Sequence, residues 1–92
     1  MSIDKATQKK LSTIPGVGPA LSAELYDLGY RDVSDLCGES PEHMYERLIA
    51  LHGCHVDRCV LYVFRGAVYF AESVENSREM EPEKLKWWNW KD

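Results

Sequence analysis

The chain has 92 residues, 45% of them apolar, and a formal net charge of −4 at pH 7. That is enough for one domain with its own core, and the acidic balance argues against a generic basic nucleic-acid binder. The charge is uneven, however. Residues 1–18 carry three lysines against one aspartate, residues 19–57 carry two arginines against eight acids, and residues 58–92 balance. A polyanion would have to approach the N-terminal end. The first twelve residues hold Asp4, Lys5, Gln8, Lys9 and Lys10 and no apolar run, so no signal peptide is expected. The longest apolar run, Cys59 to Phe64, is far too short to span a bilayer, and a cytoplasmic protein with no membrane segment is expected. Cys37, Cys54 and Cys59 cannot all pair within one chain and are expected as reduced thiols.

In chain order, Ile3 to Leu11 reads as a short polar helix that Ser2 or Asp4 can cap, with Ile3, Ala6 or Thr7, and Leu11 on one face. Pro15 and Gly16 stop it. Pro19 suits the first position of a second helix, because the amide it lacks would go unpaired there. Leu21, Leu25 and Leu28 form the stripe of that helix, and Gly29 is a natural left-handed cap. Residues 30–36 form a connector with about one helical turn, in which Val33 and Leu36 point inward. Ser40 then caps a helix that opens on Pro41 with Glu42 in its first turn. Its stripe is Met44, Tyr45, Leu48, Ile49 and Leu51, and Gly53 closes it.

Asp57 to about Ser73 admits two readings. Residues 60–64 and 67–71 could be strands flanking Arg65-Gly66. One long helix is preferred, because Arg-Gly makes a poor two-residue hairpin, Asp57 is a ready cap, and Val56, Val60, Val63 or Phe64, Ala67, Phe70 or Ala71 and Val74 recur at helical spacing. Apolar residues on nearly every side imply a central helix or a partner surface. A polar linker follows, and Pro82 can start one last turn before Trp87-Trp88-Asn89-Trp90. At least two of these tryptophans are expected to pack onto the domain or onto a second subunit.

Helix, Leu11-x-x-Ile14-Pro15-Gly16-Val17-Gly18, helix has the pattern of a helix-hairpin-helix. Ile14 and Val17 can bury between the helices. Gly16 and Gly18 tolerate positive φ and put no side chain between backbone and ligand, so successive amides and the next helix N-terminus can face one phosphate. Displaced by 37 residues, Leu11, Ile14, Gly16, Val17 and Ala23 fall on Leu48, Leu51, Gly53, Cys54 and Val60. The second copy keeps the apolar frame and the first glycine, with His55 in place of Gly18. Two such units resemble the tandem modules of DNA repair and replication proteins.

Ile14-Pro15-Gly16-Val17-Gly18-Pro19, Leu25-Tyr26-Asp27-Leu28-Gly29, Asp57-Arg58-Cys59-Val60-Leu61-Tyr62-Val63-Phe64-Arg65 and Trp87-Trp88-Asn89-Trp90-Lys91-Asp92 together resemble the small bacterial pathogenicity-locus proteins, often labelled mitomycin resistance proteins. The resemblance spans almost the whole chain. It implies an all-helical helix-hairpin-helix fold and a link to DNA, without an established enzyme activity.

The expected architecture is an all-α, SAM-like tandem helix-hairpin-helix bundle of about five helices. A domain over residues 1–76 would comprise a first unit at about 3–28, a connector at 29–39 and a degenerate second unit at about 40–75, with a linker and Trp-rich tail over 77–92. The expected function is non-catalytic, sequence-independent, salt-dependent binding of double-stranded DNA by Gly16, Val17 and Gly18, assisted by Lys9 and Lys10, with no cofactor. Pro19, Ala20, Glu24 and Asp27 bring no positive charge to that helix. The competing class is a protein-interaction module or a homodimer formed through the long C-terminal helix or the Trp tail. His52, Cys54, His55 and Cys59 carry zinc-ligand chemistry but lack a second Cys-x-x-Cys half, and histidines at a helix end are the plainer account. A nucleophilic Cys54 lacks an Asn or Asp to orient His52 or His55. Arg58 and Arg65 share a helix face and are expected to pair with the acidic middle.

Overall fold

The computed structural model describes residues 4–91. The fold is all-α. Helices α1 (Lys5–Leu11), α2 (Pro19–Asp27), α3 (Pro41–His52) and α4 (Arg58–Glu75) are accompanied by 3₁₀ turns at Val33–Leu36, Pro82–Leu85 and Trp87–Trp90. Against an expectation of about five helices, the described residues hold four α-helices, with one 3₁₀ turn in the connector and two in the tail. Residues 58–75 form one helix and the described residues contain no strand.

The caps follow from local chemistry. Asp4 accepts from the Thr7 amide at 2.7 Å, Ser40 from the His43 amide at 3.3 Å and Asp57 from the Cys59 amide at 2.9 Å. Ser2 and Ile3, the other residues expected at the start of the first helix, lie outside the described residues. Helix α2 ends on Gly29 at φ +105°, with the Tyr30 amide donating to the Leu25 carbonyl and the Gly29 amide to that of Tyr26, so the last carbonyls are satisfied by a left-handed cap.

Helix α1 packs on α2, and α3 on α4. The Val33–Leu36 connector and both tail turns also lie on α4, which is therefore central. Phe64, Leu61, Ala67 and Ala71 of α4 join Leu11, Ile14, Val17, Leu25, Leu36, Met44 and Leu48 in one core. Arg47 crosses from α3 to the end of α2, donating to the Leu28 carbonyl at 2.6 Å. Tyr30 is buried beside it, donating its hydroxyl to Glu39 at 2.6 Å and accepting from Arg47 at 3.3 Å.

The two inter-helix turns share part of their geometry. Gly16 and Gly53 are both left-handed, at φ +86° and +69°, and Leu11 and Leu48 are both fully buried. Ile14 and Val17 are buried as expected, but Leu51, expected on the buried stripe, is 54% exposed, and Cys54, expected inward, is exposed. Pro15 explains the difference. Without an N–H it cannot donate to the Leu11 carbonyl, so α1 stops and the chain closes two tight turns, Ile14 to Leu11 at 3.2 Å and Val17 to Ile14 at 3.0 Å. His52 stands at the equivalent position with its amide intact. Helix α3 runs on through it, the extra residues rotate Leu51 outward, and Gly53 donates to Ile49 at 2.8 Å. Val74, also expected on a buried stripe, is 49% exposed at the end of α4.

Burial and the Glu39 hydrogen bond push the Tyr30 phenol from 10.0 up to about 12. A phenol with a raised folded pKa contributes stability that is intact below its unfolded value and is lost as pH climbs through the folded one. Denaturant melts of the parent should lose more stability between pH 10 and pH 12 than those of Tyr30→Phe. Parallel curves for the two proteins would contradict this role for Tyr30.

Candidate nucleic-acid interface

Helix α2 is the one described α-helix whose N-terminus no side chain caps: Gly18 holds the cap position. Pro19 at the first helical position has no amide, and among the described residues nothing accepts from the backbone amides of Gly16, Gly18, Ala20 or Leu21. Gly16, Gly18 and Ala20 are exposed, and a Cβ at Gly18 would meet nothing within 4 Å. Donors without acceptors thus adjoin the positive end of a nine-residue helix. Val17 serves the turn itself, with a buried side chain and an amide committed to Ile14.

The surrounding charges are sorted by the fold. Lys9 is exposed and has no ionic partner among the described residues. Lys10 lies 3.7 Å from Asp32 in a pair exposed on both sides, a contact that competes only feebly with another anion. The acids of α2 stand away from the open end: Glu24 is 3.6 Å from His52, and Asp27 is the last residue of the helix.

The C-terminal tail contributes what sequence reasoning did not place here. Trp87 Cδ1 lies 3.6 Å from where a Gly16 Cβ would be, with Val63 Cγ1 at 3.7 Å. Lys91 Nζ sits 5.8 Å from the centre of the Trp87 ring, on the tail segment that reaches the turn. Trp88 meets Trp87 edge to face at 5.7 Å and stays 50% exposed. Trp90 anchors the segment. Its indole lies against Gly66 in the middle of α4 and donates to the Lys84 carbonyl at 2.7 Å, while Arg65 donates to its carbonyl at 2.6 Å. The expectation that at least two tryptophans pack onto the domain holds for Trp87 and Trp90. Three tryptophans together announced a packed tail, but the places where they land, beside Gly66 and Gly16, are distant in sequence.

The remaining candidates are dispersed. Among the described residues no three His, Cys, Asp or Glu side chains are placed to hold a metal ion, so His52, Cys54, His55 and Cys59 do not form a site. His52 turns to Glu24, and Cys54 and His55 are exposed. Asp57, hydrogen-bonded beside it, pushes the Cys59 thiol up, and burial does the same to Cys37, which donates to the Ala71 carbonyl at 3.3 Å. Neither thiol is activated as a nucleophile. Arg65 pairs with Glu42 of the acidic middle at 3.1 Å. A second concavity of about 480 Å³ opens between the start of α3 and α4, where Glu39, Glu42 and Glu72 face Tyr69 and Trp90.

A small four-helix domain with one uncapped helix N-terminus, flanked by lysine and by a docked tryptophan tail, is the class defined by these features. The chain belongs to the pathogenicity locus family, whose sequence profile matches residues 4–92 and so takes in both helix pairs and the tail. Comparison with curated proteins and with solved structures finds no match. No helix among the described residues is long and apolar enough to cross a membrane.

The seat of Trp90 has a measurable consequence. A Cβ at Gly66 would meet Trp90 Nε1 at 3.5 Å and Cδ1 at 3.6 Å, which is ordinary contact, and Ala is favoured over Gly in a helix by about 1 kcal/mol. Gly66→Ala should therefore hold or raise the melting temperature with the tryptophan emission unchanged. Gly66→Leu should displace Trp90 and shift the emission to the red. A Gly66→Ala protein that melts early with red-shifted emission would contradict this packing.

Proposed function

We propose that α1–α2 and α3–α4 are two helix-hairpin-helix units, the first intact and the second degenerate, and that the chain is a non-catalytic, sequence-independent DNA-binding protein. The observation that carries this reading is the uncapped start of α2, where the Gly16, Gly18, Ala20 and Leu21 amides lack acceptors on an exposed surface. A phosphate oxygen satisfies such donors without reading any base. Lys9 at the end of α1, Lys10 once released from Asp32, and Lys91 beside Trp87 add the charge that the α2 side chains lack. The overall charge of −4 and the acids of α3 keep the affinity low and restrict contact to this end. Such a role accords with the DNA-damage link in the mitomycin label borne by similar proteins.

A second reading, a protein-interaction module, draws on the concavity at α3 and α4. With Glu39 and Glu42 engaged by Tyr30 and Arg65, Glu72 and two aromatic rings there complement a cationic side chain, and Lys84 Nζ already lies 5.6 Å from the Tyr69 ring centre. Self-association through α4 or the Trp tail belongs to the same class.

Titration of a short blunt duplex separates the two readings. The parent should bind at low salt and lose roughly tenfold in affinity between about 50 and 200 mM salt if two phosphates are neutralised. Gly18→Glu is the cleanest disruption, since φ there is −98° and the space is open, and it should abolish binding without lowering the melting temperature. Duplex binding by Gly18→Glu equal to that of the parent, or no binding by the parent at low salt, would remove the phosphate reading in favour of the interaction module.

A further inference from the structure

Trp88 is what the packing of the tail leaves over. Among the described residues Leu51, Val74 and Trp88 are the large apolar side chains that stand exposed, and Trp88 is joined through Trp87 to the first inter-helix turn. Its exposure is not the fraying of a loose end. The neighbouring tryptophans are seated on either side, Trp87 near Gly16 and packed on the core, and Trp90 against Gly66. The backbone between them is held as well: the Asn89 amide donates to the Lys86 carbonyl at 3.0 Å, and its side chain donates to the Glu83 carbonyl at 2.7 Å. The ring is thus fixed by its neighbours while half of its surface faces water, so a ligand meeting it finds an aromatic face already ordered.

We propose that Trp88 is a stacking platform for an unpaired DNA base, so that the preferred ligand is a single strand or an overhang rather than a fully paired duplex. This rests on the phosphate reading above and specifies its substrate. Trp88 packs edge to face on Trp87, whose Cδ1 lies 3.6 Å from where a Gly16 Cβ would be, so one side chain links the platform to the turn. Inside a duplex each base face is covered by its neighbours, and a ring held on an anchored turn gains nothing from it. An unpaired base offers a free face, and aromatic stacking accepts every base equally, which matches the sequence-blind amide contact. Lys91 beside Trp87 and the unpartnered Lys9 supply the positive charge that favours a nucleic-acid strand over an apolar protein segment as the occupant.

Fluorescence anisotropy with a blunt duplex, the same duplex carrying a short single-stranded extension, and the extension alone tests this, using the full chain and Trp88→Ala and Trp88→Phe. The parent should bind the extended duplex about tenfold more tightly than the blunt one. Trp88→Ala should lose that preference while keeping the blunt-duplex affinity and the melting temperature, and Trp88→Phe should retain most of it. Equal affinity of the parent for blunt and extended duplexes overturns the platform and leaves the phosphate reading standing. A preference that survives Trp88→Ala overturns it likewise. Absence of binding to all three DNAs overturns both readings together. A dimer in light scattering that Trp88→Ala dissociates, with DNA affinities unchanged, assigns the ring to self-association and also overturns the proposal.

Discussion

The indole of Trp90 against Gly66 is the contact on which the arrangement of this protein turns. A glycine in the middle of an 18-residue helix is unfavourable by about 1 kcal/mol relative to alanine, and here the bare backbone accepts an aromatic ring. With Trp90 seated and its carbonyl held by Arg65, the same 3₁₀ turn brings Trp87 to Gly16, where Val63 of α4 also lies. The tail therefore bridges the central helix and the first inter-helix turn. Arg47 on the Leu28 carbonyl and His52 beside Glu24 tie the two helix pairs together elsewhere. The end of the chain is thus part of the surface built around its first glycine turn.

That packing also explains how an acidic protein can present an anion-binding corner. The carboxylates near the core are occupied: Glu42 by Arg65, Glu39 by the Tyr30 hydroxyl and Glu24 by His52. The N-termini of α1, α3 and α4 are closed by Asp4, Ser40 and Asp57. What stays open is the start of α2, where glycine and proline replace a capping side chain and the preceding turn meets Trp87, with Lys91 and Trp88 beside that ring. Phosphate contact, weak affinity and sensitivity to salt all follow from that one uncapped terminus in a net negative chain.

Much of the fold was legible because its signals are local. Pro19 and Pro41 mark helix starts, Gly29 and Gly53 mark left-handed ends, and the 3.6-residue recurrence through Arg65-Gly66 outweighs the strand reading of two apolar runs. The errors came where an aligned repeat hides one changed residue. The repeat over 37 residues aligns Leu51 with Ile14 and Cys54 with Val17, yet His52 in place of Pro15 lets α3 continue and turns both outward. Of the candidate site, the glycine turn and the two lysines could be read from spacing alone. The commitment of the Val17 amide to the turn, and the arrival of Trp87, Trp88 and Lys91 beside Gly16, depend on tertiary packing that no local pattern encodes.

Amide-resolved NMR of the uniformly labelled protein, titrated with a short DNA duplex bearing a single-stranded extension, addresses the central claim most directly. The account predicts that the largest shifts fall on the backbone amides of Gly16, Gly18, Ala20 and Leu21 and on the indole N–H of Trp88, with the Trp90 indole unmoved. Shifts centred on Glu39, Glu72 and Trp90 at the α3–α4 concavity, or no shifts at low salt, would contradict it.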